Sequence, residues 1–389
     1  MSYTNINSKN QFGDPVADYT LYGADFSMYS GKVRAYLRYK LFDFNDVLST
    51  VSVYKKIIVP KTGVKYIPVV KTPTDEYLQD TTNIIDHLEE IPSSRPVYPT
   101  TPKQRLVSLL LELYGDEWLV MPAMHYRWNF DSVNQPFLYK EFGSILTPNM
   151  PGFIKHFLGK KIASKFKRMV PEIGITEKSI PSLEKWFEKE FLPSLNEHFS
   201  HYDFLLGSKP CIADFGFIAS LWAPLYRDPY PKKLISEQAP KVVKWIERMK
   251  DASNIDGELL PNDEIPETLF PILKNLFEFQ WPVLEDTSIR LADWYAKETN
   301  NIAPAHSVEV PRRLGMHQFR IGDAEEQRTV MPFSQWMMQR PLNYYTSLTS
   351  DEKKSVDPLL KEVNGLYAMR FKIENQVMRE NNKIVIRAV

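Results

Sequence analysis

The rhythm of hydrophobic and polar positions changes along the chain. Residues 18–22, DYTLY, predict a short strand, and residues 30–41 an amphipathic helix with Val33, Tyr36, Leu37 and Leu41 near one face. Residues 47–53, VLSTVSV, read as a second strand. Tyr66 to Val70 read as a third, interrupted by Pro68, which cannot donate to a sheet ladder. After a turn at Pro73-Thr74-Asp75 come a short strand at Glu76 to Leu78 and a helix over Thr81 to Glu89, burying Ile84, Ile85 and Leu88. Residues 1–16 make a polar, flexible lead, and 17–92 make an α/β unit ordered strand, helix, strand, strand, strand, helix. The stretch IPSSRPVYPTTPK carries four prolines, and 93–103 are read as a linker. Residues 104–254 read as all-helical, with apolar-periodic segments at 104–128, 181–201, 211–225 and 239–250. Residues 255–389 form an α+β extension. It has helical periodicity over 266–299 and 351–380, alternating stretches at 307–321 and 327–333, and a strand-like KIVIRAV end.

Composition narrows the class. Lys plus Arg and Asp plus Glu number 48 each, so no global field attracts nucleic acid or a membrane surface. The single cysteine, Cys211, rules out a disulfide within the chain and disfavours a cysteine metal site; no metal is expected. The N-terminal MSYTNINSKNQFGDP lacks the apolar core of a signal peptide, and no transmembrane segment is expected, which makes cytoplasmic the default location. Aromatic residues at 13% fit large cores or an aromatic-lined pocket.

Four stretches carry candidate chemistry. After the first strand comes Ser27-Met28-Tyr29-Ser30-Gly31-Lys32-Val33-Arg34. Ile67-Pro68 precedes the third strand, and Leu78-Gln79-Asp80-Thr81-Thr82-Asn83-Ile84-Ile85 joins a strand to a helix. Gly207-Ser208-Lys209-Pro210-Cys211-Ile212-Ala213-Asp214 opens a helix in the helical region. In this order, and with this layout, residues 18–250 resemble the cytosolic glutathione transferase superfamily. The resemblance implies a thioredoxin-like N-terminal domain followed by an all-α domain, glutathione as co-substrate, and a homodimer. It places Ser27 at the catalytic position, with Met28 where the family has proline. It makes Tyr22, at the end of the first strand, a second candidate for stabilising the thiolate. A cis Pro68 would let Ile67 present its backbone to the cysteinyl moiety. Asp80, one methylene shorter than the family's Glu, would bind the γ-glutamyl ammonium, and Thr81 its carboxylate at a helix N-terminus.

The chemistry is coherent. A free thiol has a pKa of about 8.5 and only the thiolate is a good nucleophile. A hydroxyl donor and a helix N-terminus both favour the anion, and one unit of depression is worth about 1.4 kcal/mol. The plain alternatives are that Ser27, Ser30 and Asp80 only cap helices. The Cys211–Asp214 stretch resembles the family's capping box, so Cys211 reads as buried structure.

Tyr114, Trp118, Met121, His125 and Trp128 recur at helical spacing and suit an apolar pocket for the second substrate, with core packing as the alternative. A basic stretch from Lys155 to Arg168 reads as a solvated helix face. Two extension segments, one rich in Arg after Val310 and one mixing aromatics and amides after Pro332, have no assigned role. The reading is a glutathione transferase-like enzyme acting on an apolar or aromatic electrophile, a small molecule. Its rivals are a non-catalytic glutathione- or ligand-binding protein on the same fold and a dedicated glutathione-dependent lyase or isomerase.

Overall fold

The computed structural model describes residues 18–300 and 306–387; the lead at 1–16 lies outside the described residues. Strands β1 (Tyr19–Gly23), β2 (Phe44–Leu48), β3 (Val69–Lys71) and β4 (Tyr77–Gln79) form one sheet in the order β2-β1-β3-β4. Only β1 and β2 are parallel, because helix α1 (Met28–Tyr39) carries the chain back between them. Alternation along β1 sends neighbours to opposite faces. Leu21 joins Val33, Tyr36 and Leu37 of α1 and Ile84, Ile85 and Leu88 of α3 (Thr81–Glu89). Tyr22 joins Ile58 and Val69 on the other face.

That other face is covered by α2, residues 51–62, where the sequence predicts the end of a strand. The strand expected at 47–53 instead ends at Leu48. Thr50 accepts a hydrogen bond from the Val53 N–H and starts a helix whose Val53, Tyr54, Ile57 and Ile58 face the sheet. The β-branched residues of VLSTVSV imitate a strand, and the cap overrides them.

Helix α4 spans residues 102–128 and contains one wide turn at Tyr114–Trp118, where the Leu119 N–H reaches back to the Tyr114 carbonyl at 3.1 Å. Helices α5 (Asp131–Leu146), α6 (Gly152–Lys167), α7 (180–201), α8 (Ile212–Trp222), α9 (Pro229–Gln238) and α10 (Pro240–Lys250) complete the helical part. Almost all of α8 is buried, and it passes α4 where Gly115 meets Gly216.

The extension packs onto the same core. It contains α11 (270–298), the hairpin β6 (Met316–Ile321) and β7 (Ala324–Thr329), α12 (Phe333–Ser347) and α13 (Ser350–Glu362). A small sheet joins β5 (Val308–Glu309), β8 (Met378–Glu380) and β9 (Lys383–Ile386). Helical periodicity over 351–380 stops at Glu362, because Asn364 takes φ 61° and Gly365 follows. Phe319, Ile321, Met337, Met338 and Leu342 lie in one hydrophobic cluster with Leu21, Leu106 and Trp118.

Candidate functional site

Ser27 ends the loop after β1 and caps α1: its Oγ accepts the Ser30 N–H at 3.2 Å. The same hydroxyl donates to no acceptor among the described residues, so its hydrogen remains free for a ligand. Ser30 is buried, and its Oγ accepts the Ala24 N–H at 3.3 Å. Tyr22 does not join this loop. Its ring stacks on Tyr77 on the α2 face of the sheet, and burial there pushes the phenol pKa above its ordinary value.

The Ile67–Pro68 bond is cis, and the ladder to β1 begins only at Val69. At the other end of β4, Asp80 holds φ 81°, a conformation few non-glycine residues adopt. This turn aims its Oδ1 at the Thr82 and Asn83 N–H groups, at 3.1 and 3.3 Å. Thr81 is buried beside it. A residue of the extension completes this corner. Arg379 places Nη1 3.2 Å from Asp80 Oδ1 and donates from Nη2 to Gln79 Oε1 at 2.8 Å. Its guanidinium lies over the Trp336 ring at 5.5 Å. Burial raises the Asp80 pKa, with Arg379 and the helix N–H groups opposing it.

Beneath the corner runs a line of buried charge. Lys32 of α1 bonds Glu112 Oε1 at 2.9 Å and Asp116 Oδ2 at 2.5 Å. Burial works against this ammonium, but Asp116 and Glu112 outweigh it and hold its pKa above the ordinary lysine value. The Thr82 hydroxyl also donates to Glu112 Oε1, at 3.2 Å. From the extension, Arg340 reaches Asp86 at 2.5 Å and Glu112 Oε2 at 3.5 Å. One step along α4, Glu117 accepts from Ser334 Oγ at 2.6 Å. Burial raises the Glu117 pKa to about 7, against the pull of Ser334 and Arg328. Tyr29, whose hydroxyl donates to the Asp116 carbonyl at 3.0 Å, links these parts to the Ser27 loop. Burial, with the Glu117, Asp116 and Asp80 charges, pushes its phenol well above the usual range.

The residues expected to line a second-substrate pocket diverge. Trp118 and Met121 meet Arg328, whose guanidinium lies 5.7 Å from the Trp118 ring, with Nη1 3.8 Å from Met121 Sδ. Tyr114 instead bonds Asn275 at 2.8 Å. His125 bonds Glu184 and Asn129, each at 2.9 Å, while Trp128 packs on Phe142 and Phe166. Spacing of three and four residues would align all five on an ideal helix. The extra residue in the wide turn separates Tyr114 from the residues after it, while His125 and Trp128 part from Met121 within the regular helix that follows. Cys211 is buried at the start of α8, where burial raises its thiol pKa well above the ordinary value. Asp214 accepts its N–H at 3.0 Å. The basic stretch lies on α6, with Phe153 exposed before its first lysine and Phe157 exposed between Lys155 and Lys160.

Arg328, Arg340, Arg379, Ser334 and Glu117 were not singled out in the sequence. For the four from the extension, the only signal is its Arg-rich and amide-rich character. Spacing alone does not reveal which arginine is enclosed.

Two family models match the chain. Residues 21–96 match the glutathione S-transferase N-terminal domain and residues 188–251 the glutathione S-transferase C-terminal domain. No curated protein sequence matches. Among solved structures, the chain is similar to a glutathione S-transferase from Rhodospirillum rubrum F11, at 16% identity, covering 64% of this chain and 96% of that one, with a TM-score of 0.40. It is also similar to a tau class glutathione S-transferase from mango, Mangifera indica, at 18% identity, covering 65% and 95%, with a TM-score of 0.37. The beta-etherase LigF from Sphingobium sp. strain SYK-6 is similar at 16% identity, covering 60% and 94%, with a TM-score of 0.38.

Proposed function

Because the chain belongs to the glutathione S-transferase superfamily, we propose that it binds glutathione at the corner formed by Ile67, Pro68, Asp80 and Thr81 and activates its thiol beside Ser27. One observation carries the reading. The Asp80 carboxylate and the Arg379 guanidinium lie 3.2 Å apart at the N-terminus of α3. An acid beside a base is the complement of an α-amino-acid head group, whose ammonium and carboxylate share one carbon. Asp80 takes the γ-glutamyl ammonium. The carboxylate goes to Arg379, the Thr81 hydroxyl and the helix N-terminus. Ile67, beyond the end of the ladder, offers its backbone to the cysteinyl part. The Ser27 hydroxyl donates to the sulfur, and the thiolate then attacks an electrophile on the Trp118–Met121 side. A serine cannot form a mixed disulfide, which favours conjugation or thiolytic cleavage over disulfide exchange.

Titration calorimetry of the intact chain, with the ultraviolet absorbance of bound thiolate, tests this. Wild type is expected to bind and ionise glutathione, while Ser27→Ala binds it and ionises it poorly. A glutathione analogue with a 4-aminobutanoyl group in place of γ-glutamyl keeps the ammonium and lacks only the α-carboxylate. Wild type should prefer glutathione over it by about tenfold or more, as a charged hydrogen bond of about 1.5–3 kcal/mol requires. Arg379→Ala should shrink that preference. If wild type does not bind glutathione, the transferase reading fails.

A further inference from the structure

Among the described residues, the buried cations Lys32, Arg34 and Arg127 are paired with acids, and Arg328 is not. Arg127 has Asp228, Arg340 has Asp86 and Glu112, Arg379 has Asp80, and Lys32 has Glu112 and Asp116. Arg328, on β7, is 8% exposed, and no carboxylate among the described residues comes within 4 Å of it. Its Nε has no hydrogen-bond partner, and its Nη1 finds only the Met121 sulfur at 3.8 Å. The guanidinium sits over the Trp118 and Phe319 rings, at 5.7 and 5.5 Å. The hairpin forces it inward, since Arg328 pairs in register with His317 on the face that also buries Phe319 and Ile321.

Aromatic faces offset only part of the cost of enclosing a charge. Glu117 is the acid that faces Arg328, but Ser334 occupies it, and burial leaves it only partly ionised near neutral pH. A guanidinium is always charged there and presents donors in a planar fork that fits a carboxylate. Such a group, enclosed and unpaired, points to an anion that arrives with a ligand.

We propose that Arg328 is the anion anchor of the second-substrate side, and that the electrophile carries a carboxylate on an apolar frame. This rests on the transferase reading for its chemistry, since Arg328 adjoins Trp118 and Met121. Trp118, Met121 and Phe319 supply the apolar walls. The carboxylate binds the free donors of Arg328, and the rest of the molecule is turned toward the Ser27 loop. With a chloroarene probe, the glutathione sulfur forms a carbon–sulfur bond and chloride leaves with its bonding electrons.

The test uses 4-chloro-3-nitrobenzoate and its methyl ester, a pair that differs in the charge. Binding of each is followed by calorimetry and tryptophan fluorescence without glutathione, then kcat/KM for each is measured with it. Wild type should prefer the carboxylate by at least tenfold in binding. In Arg328→Met that preference should fall at least tenfold, and Arg328→Lys should restore part of it. Arg328→Met should also melt no lower than wild type without ligand and lose the rise in melting temperature that the benzoate gives. Equal binding of acid and ester by wild type overturns the proposal. So does a variant that loses stability and both ligands together, which marks a purely structural arginine. Charge-dependent benzoate binding in a chain that ignores glutathione would support the anion site while removing the transferase reading.

Discussion

At the scale of single residues, the site is governed by burial of groups that prefer water. Glu117 shows how this is read. Its pKa is about 7 in the fold against an ordinary 4.5, with burial as the leading cause. A raised pKa means that the fold favours the protonated acid. The corresponding stability is therefore fully present below the unfolded value and is lost as pH rises through about 7. Asp214, raised to about 6 by burial, acts in the same direction. Burial lowers the pKa of His125, His198 and His317, which adds stability as pH rises to about 6.5, so the melting temperature of wild type should fall only above that, from about 6.5 to about 8. Glu117→Gln keeps an acceptor for Ser334 but cannot ionise, so its melting temperature should fall less over the same range. Parallel curves for the two proteins would show that Glu117 ionises at no cost and that its burial has been misjudged.

At the scale of elements, the fold was most legible where local pattern and tertiary demand agree. DYTLY, the helix of Val33 and Leu37, and the helix from Thr81 to Glu89 appear within a few residues of their expected bounds. Helix α2 was hidden because its entry is β-branched and only the Thr50 cap marks it. The stripe on α4 divides after Tyr114 for a different reason. A wide turn leaves no reliable mark in a sequence, yet it rotates every residue beyond it. In the candidate site, Ser27, Asp80 and Thr81 were legible from motif. Arg379, which faces Asp80, and Arg340, which faces Asp86 and Glu112, lie hundreds of residues away in sequence and have no periodic signature. Close contact of α4 with α8 fixes the line of Glu112 and Asp116 under the site. A Cβ on Gly115 would stand 2.5 Å from the Gly216 carbonyl carbon, where only backbone can give way. Gly115→Ala should therefore cost about 1–3 kcal/mol or more in denaturant unfolding, despite alanine's better helix propensity. An unchanged midpoint would mean that the two helices separate easily and do not fix the site.

At the scale of the whole molecule, the question is whether the extension is a module added to a glutathione transferase fold or an integral part of this one. Its side chains answer through charge and packing together. Arg340 neutralises Asp86 and reaches Glu112, and Arg379 faces Asp80, so the extension carries counter-charges for acids of α3 and α4. Met337, Met338 and Leu342 cover apolar surface continuous with Leu106 and Trp118. Removing the extension would uncover that surface and strip partners from the enclosed Glu112 and Asp80, and a broken buried pair costs about 3–5 kcal/mol. Those losses compare with the whole stability of an ordinary domain, about 5–15 kcal/mol. A chain ending at residue 300 should therefore fail to fold cooperatively, while the intact chain should melt in one transition followed alike by tryptophan fluorescence and far-ultraviolet circular dichroism. On the proposed reading, glutathione should move that single transition upward, because its corner includes Arg379 of the extension. If the shortened chain folded and bound glutathione as tightly as the intact one, Arg379 would be a cover over a finished site. If it folds only with the extension present, the arginines of the last eighty or so residues belong to the site as much as Ser27 does.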